Sequence, residues 1–138
     1  MSEQNKAIIR RWIEELDKHN FEIMDEVLSP DVIFHFTGTT MGLEGQKQLV
    51  LDTYAALPDF HHEIEDLVAE GDRVAARMTD TATHTNEFMG VPPTGRKIAF
   101  GAISIFRFVG AKIVEGWEEI NMMGVMQQLG AAPSPGAE

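Results

Sequence analysis

THTNEFMGVPPTGRKIAFGAISIFRFVGAKIVEGWEEINMMGVMQQLG, residues Thr83–Gly130, is the stretch that decides the fold. A Gly/Pro-rich connector, Met89–Arg96, joins two long strand-like runs. Pro92 and Pro93 restrict its backbone, and Gly95 allows a positive φ. The tight turn Val109-Gly110-Ala111 then separates Lys97–Phe108 from Lys112–Ile120, two strands that read as antiparallel neighbours. The second of them ends in Trp117, Glu118, Glu119 and Asn121. Polar groups at the end of an apolar strand form either a satisfied network or a working pocket. Asn121 is placed to cap a short last helix built on Met122, Met123, Val125, Met126 and Leu129 and closed by Gly130.

Upstream of the connector, Arg73–Glu87 reads as a strand, with Val74, Ala76, Met78, Asp80, Ala82 and His84 on one face. Glu70-Gly71-Asp72 is a hairpin signal joining it to a strand that starts near Phe60, in which His61 and His62 point to opposite faces. The N-terminal part is helical. Ile8, Ile9, Trp12, Ile13 and Leu16 share one face of a helix over 5–18. Asn20 could cap a short second helix that Ser29-Pro30 ends. Asp31–Thr37 alternates as a strand, Gly38–Gly42 reads as a loop, and a third helix runs from about Leu43 to Leu57. Helices segregated from a mostly antiparallel sheet make an α+β domain. A curved sheet wrapped around three N-terminal helices leaves a cone-shaped pocket, a common small-molecule site. The expectation is one domain over residues 1–130 and a flexible tail over 131–138.

The formal net charge of −11 repels phosphate backbones, so nucleic acid is not an expected partner. The absence of cysteine excludes disulfides, thiolate catalysis and Cys-ligated metal. No apolar run reaches the ~20 residues of a membrane span, and the polar N-terminus lacks the apolar core of a secretory signal. The sequence reads as a soluble cytoplasmic protein with no membrane partner. No metal site is expected: the His61-His62 rings diverge, and no carboxylate cluster has ligand spacing. VPPTGRK lacks the spacing of a phosphate loop.

The segments EGDRVAARMT, THTNEFMGVPPTGRKIAF, ISIFRFVGAKIVEGW and QQLG resemble the SnoaL-like polyketide cyclases and related ester-cyclase-like proteins, within the superfamily that shares the fold of nuclear transport factor 2. The resemblance runs from the first helix to Gly130. It implies a homodimer formed through the sheet, and intramolecular aldol closure of a hydrophobic polyketide without cofactor or metal. It also implies an acidic residue on the last strand as acid/base, and that carboxylate falls on Glu118. Two positions differ from the family's pattern. An Asp four residues after the strand Trp is Asn121 here, whose amide can hydrogen-bond a substrate oxygen but cannot take its proton. A His on the preceding strand is Ser104.

A base that removes a proton alpha to a carbonyl needs a raised pKa, and burial near Trp117 would supply it. Strict alternation, however, puts Trp117, Glu119 and Asn121 on one face and Glu118 on the other, so Glu119 competes with Glu118 for the pocket. His84, a strand imidazole able to donate and accept, joins Glu118 and Asn121 as a catalytic candidate. Trp117, His35, Ser104 and Glu119 are candidate substrate contacts, with the core aromatics Trp12 and Tyr54. Three functions stay open: a cofactor-free acid–base enzyme, sharpest as a polyketide cyclase; a hydrolase or isomerase in the same pocket; and a non-catalytic small-molecule-binding dimeric module.

Overall fold

A computed structural model of the chain describes residues 2–131. Ten elements follow in order: α1 (Ser2–Asp17), α2 (Ile23–Val27), β1 (Leu28–Phe36), β2 (Thr39–Met41), α3 (Leu43–Ala56), β3 (His61–Glu70), β4 (Arg73–Thr83), β5 (Lys97–Val109), β6 (Lys112–Ile120) and α4 (Met122–Gln128). The strands form one open sheet in the order β2-β1-β6-β5-β4-β3. All neighbours are antiparallel except β1 and β6, which run parallel, so the sheet is mixed. This is the expected α+β architecture, with three helices entering the chain before the long β3–β6 meander.

Period two explains which face each strand buries. In β5, Ile98, Phe100, Ala102, Ser104, Phe106 and Phe108 point inward and are buried, while Ile103 and Ile105 face out. In β4 the inward row Val74, Ala76, Met78, Asp80 and Ala82 carries one carboxylate among apolar groups. The helical stripe of α1 (Ile9, Trp12, Ile13, Leu16) covers this face. Trp12 packs edge-on against Phe106, ring centroids 5.3 Å apart.

Four local expectations change. The Gly38–Gly42 loop contains β2, which pairs with β1 from Phe34↔Met41 to Phe36↔Thr39. Asn20 is not a cap: its side chain donates to Glu15, and α2 starts after Glu22 without a side-chain cap. Ser29-Pro30 lies inside β1, where a register shift between Leu28 and Ile33 accommodates a residue without an N–H. β4 stops at Thr83 instead of Glu87, because His84 leaves the ladder to bond the connector: its N–H donates to the Arg96 carbonyl at 2.8 Å. The cap on the last helix forms as expected, with Asn121 Oδ1 accepting the Gly124 N–H at 2.9 Å. The expected flexible tail lies, beyond Ala131, outside the described residues. No helix among the described residues is long and apolar enough to cross a membrane.

Candidate active site

Between the helices and the inner face of the sheet lies a cavity of about 410 Å³. Its wall is largely aromatic and aliphatic: Trp12, Phe36, Leu49, Val50, Phe60, Met78, Phe88, Phe100, Phe106, Ile120 and Met122. Into this wall the fold sets Glu118 from β6, Asp80 from β4, His62 from β3, and Gln46 and Tyr54 from α3. Four buried side-chain polar atoms among the described residues lack a protein partner: Trp12 Nε1, Gln46 Oε1, Asp80 Oδ1 and His84 Nε2. The first three belong to residues lining this one cavity. Unsatisfied buried polar atoms are rare, so their concentration here makes this cavity the candidate site.

Glu118 has little support as an anion. Among the described residues its carboxyl takes one hydrogen bond, a long one from Gln46 Nε2 at 3.3 Å. Glu118 is half-buried and lines the cavity. Burial, with the charge of Asp80 adding to it and His62 and Gln46 opposing, pushes its pKa up to about 7. Asp80 is 3% exposed, and burial in particular raises it to about 6. Two carboxyls with raised pKa values thus face a largely apolar space, the environment that makes a carboxylate useful as a base near neutral pH.

A second set stands at the cavity's edge. Asp17, the last residue of α1, accepts the His62 N–H at 2.9 Å, pairs with His62 Nδ1 at 2.8 Å and accepts the Tyr54 hydroxyl at 2.7 Å. Burial works against its charge, but the bonds from His62 and Tyr54 win, and its pKa lies below the ordinary carboxylate range. Burial likewise opposes charging of His62. The Asp17 bond and the charges of Asp80, Asp17 and Glu118 outweigh it, so the pKa of His62 is raised. Tyr54 is held neutral, first by burial and then by Asp17.

The residues singled out from sequence separate into three places. Glu118, Trp12 and Tyr54 line the cavity. Ser104 is buried on the same sheet face opposite Glu118 in register, but does not line the cavity. Trp117, His35 and Glu119 lie away from it. Trp117 stacks on His35 at 5.5 Å with Arg73 at 5.0 Å over its ring, and His35 Nε2 bonds Glu115 at 2.8 Å. Glu119 is exposed. The alternation that separated Glu118 from Trp117 therefore holds, and the concave side is Glu118's. Proximity to Trp117 is not what buries Glu118. Asn121 is occupied as a helix cap and does not line the cavity. His84, fully buried, accepts the Thr94 N–H at Nδ1 and pins the connector to the end of β4, away from the cavity.

Sequence reasoning missed Asp80, His62, Gln46 and Asp17. Asp80 was findable, as a carboxylate within an inward row of small and apolar side chains. Gln46 and Asp17 stand on helices whose faces only the tertiary packing defines. Among the described residues no group of three His, Asp or Glu side chains is set to hold a metal.

Among curated protein sequences none matches the chain. Solved structures do. AclR of Streptomyces galilaeus, a proposed hydroxylase, is 32% identical with a TM-score of 0.90, over 96% of this chain and 100% of its own. IdmH of Streptomyces antibioticus, a proposed polyketide cyclase, is 31% identical with a TM-score of 0.85, over 92% and 99%. A proposed polyketide cyclase of Acidithiobacillus ferrooxidans is 29% identical with a TM-score of 0.82, over 94% and 96%. The SnoaL-like polyketide cyclase profile matches residues 6–129, and the chain belongs to that family.

Proposed function

We propose that the protein is a cofactor-independent acid–base enzyme acting on a hydrophobic carbonyl compound, with intramolecular aldol closure of a polyketide as its reaction and Glu118 as its base. The observation that carries this is Glu118 itself: a carboxyl on the wall of an apolar cavity, held by one weak amide bond, with a pKa of about 7. Such a group is ionised often enough to act and basic enough to take a proton alpha to a carbonyl. The aromatic wall matches a flat, conjugated substrate; the unpaired Trp12 Nε1–H can donate to one of its carbonyl oxygens, and the unpaired Gln46 Oε1 can accept from an enol hydroxyl. IdmH, described as a proposed cyclase, supports the same reading.

The test is conversion of hydrophobic poly-β-ketone substrates by wild type and by Glu118→Gln. Loss of the base should lower turnover by about 10²–10⁴-fold with the fold intact. Turnover surviving in Glu118→Gln would exclude Glu118. Isomerisation in the same pocket forms no carbon–carbon bond, and hydrolysis carries oxygen from labelled water into product, so product analysis separates these alternatives.

The working form is proposed to be a cytoplasmic homodimer joined through the outer sheet face. Val68, Ile33, Ile103 and Ile105 are exposed there, and Arg73, Arg77, Arg107, Glu115 and Glu119 supply both charge signs to one patch. A face carrying both signs beside apolar side chains can complement itself across a two-fold axis. Light scattering should report a dimer for wild type and a monomer for Ile103→Glu; a monomeric wild type refutes the interface.

A further inference from the structure

The mechanism above accounts for the proton that leaves carbon and not for the proton that the new oxygen must receive. The Asp17–His62 pair is unused by it. Asp17 is an acceptor for three bonds from Tyr54 and His62, so His62 Nδ1 carries a hydrogen that it donates to Asp17. That fixes the ring. Among the described residues nothing bonds its Nε2, and His62 lines the cavity that also holds Glu118. His62 and Asp80 are cross-strand partners in register, with Cβ atoms roughly 5 Å apart by the geometry of such pairs.

We propose that His62, held by Asp17, is the proton donor of this site: a catalytic residue that protonates the substrate's nascent alkoxide through Nε2, with Asp17 as its positioning residue. This rests on the aldol reading. In that reaction Glu118 takes the α-proton, and the C–H electron pair becomes an enolate. The enolate carbon bonds to the second carbonyl carbon, whose π pair moves onto oxygen. The alkoxide takes the Nε2 proton and becomes a hydroxyl, leaving neutral His62 still donating Nδ1–H to Asp17. One proton returning from Glu118 to His62 restores the starting state, so no co-reactant is consumed. A carboxylate orienting an imidazole from behind is the general way to fix both its tautomer and its aim.

The charges around His62 favour this state. On the cavity side Asp80 of β4 and Glu118 of β6 face it, and Tyr54 of α3 stays neutral. Behind it, α1 contributes Asp17 with Arg10, Glu14 and Lys18, and β3 contributes His61 and Glu63, along an open groove. His61 Nδ1 reaches the other Asp17 oxygen at 3.1 Å, so both oxygens are engaged.

The deciding experiment is pH-resolved ¹⁵N NMR of the histidine rings in the full chain. The expected result is His62 protonated on both nitrogens at neutral pH. Asp17→Asn should lower its midpoint by about one unit or more, as expected for loss of a close opposite charge. Tyr54→Phe removes a different bond to the same carboxylate and should not lower it, which guards against a general loosening of α1. A bare Nε2 at neutral pH, or a midpoint unmoved in Asp17→Asn, overturns the proposal. A second readout is aldol closure of a hydrophobic poly-β-ketone, with deuterium exchange at its α-carbon in heavy water as a separate measure of proton removal by Glu118. His62→Gln should cut kcat by about 10²-fold or more with little change in KM. Closure at the wild-type rate in His62→Gln overturns the donor role, whereas α-exchange that survives Glu118→Gln overturns only the base, so the two failures are told apart.

Discussion

Replacing Glu118 with Gln should make the folded protein more stable at alkaline pH while removing its activity. The wild-type carboxyl has a pKa of 4.5 when free and about 7 in the fold. Below pH 4.5 it is protonated in both states and has no effect. Between there and pH 7 the unfolded chain ionises freely, while the folded chain must keep the proton or bury a charge. Stability therefore falls as pH rises through this window, by up to about 1.4 kcal/mol per pH unit. The full shift corresponds to about 3 kcal/mol, and the carboxyl's contact with the cavity trims the expectation to about 2–3 kcal/mol. Gln at this position keeps the shape and can still accept from Gln46, without a charge to bury. Asp80 and His62 push the wild-type profile the same way, since their folded pKa values are also raised. Asp17 pushes oppositely at the acid end. All three remain in the variant, so the difference between the two proteins reports Glu118's own titration together with its coupling to Asp80 and His62. Urea denaturation at fixed protein concentration, at pH 4.5, 6 and 8, measures that difference. It should be near zero at the lowest pH and about 2–3 kcal/mol in favour of Glu118→Gln at the highest. A difference that does not change with pH would refute the claim that Glu118 is held in a dry site, and with it the base.

Three further outcomes are expected. Gly116→Ala should destabilise by about 1–3 kcal/mol in the same assay, because a Cβ there would stand 2.4 Å from the Phe34 ring, itself fully buried. Asn121→Ala should cost about 1 kcal/mol by removing the α4 cap while leaving turnover within a few-fold, since the amide lies outside the cavity. A hydrophobic ketone entering the cavity should quench Trp12 but not Trp117, which stacks with His35 on the other face. Ligand-dependent quenching should therefore disappear in Trp12→Phe and persist in Trp117→Phe.

Most of the fold was legible because its signals are local. The α1 stripe, the Glu70-Gly71-Asp72 and Val109-Gly110-Ala111 turns, and the alternation of β4 and β5 follow from spacing alone. The misplaced end of β4 and the overlooked β2 have a common cause. Thr83–Glu87 and Gly38–Gly42 carry no periodic signal of their own; their state depends on which other segment offers hydrogen bonds, Arg96 in one case and β1 in the other.

The site divides the same way. Alternation alone put Glu118 and Trp117 on opposite faces of one strand, and it put Asp80 on the apolar face of β4. Which face is concave does not follow from period two. Nor does the meeting of these groups. Glu118 is opposite Ser104, which is opposite Ala76, four residues from Asp80. On a flat sheet, four residues and two strand spacings would hold the carboxyls roughly 16 Å apart. The two nevertheless line one cavity and feel each other's charge. Residue order fixed each carboxyl on its strand, and the curl of the sheet under α1 and α3 carried them into the same cavity, because curvature arises from packing between segments and is written in no single one of them.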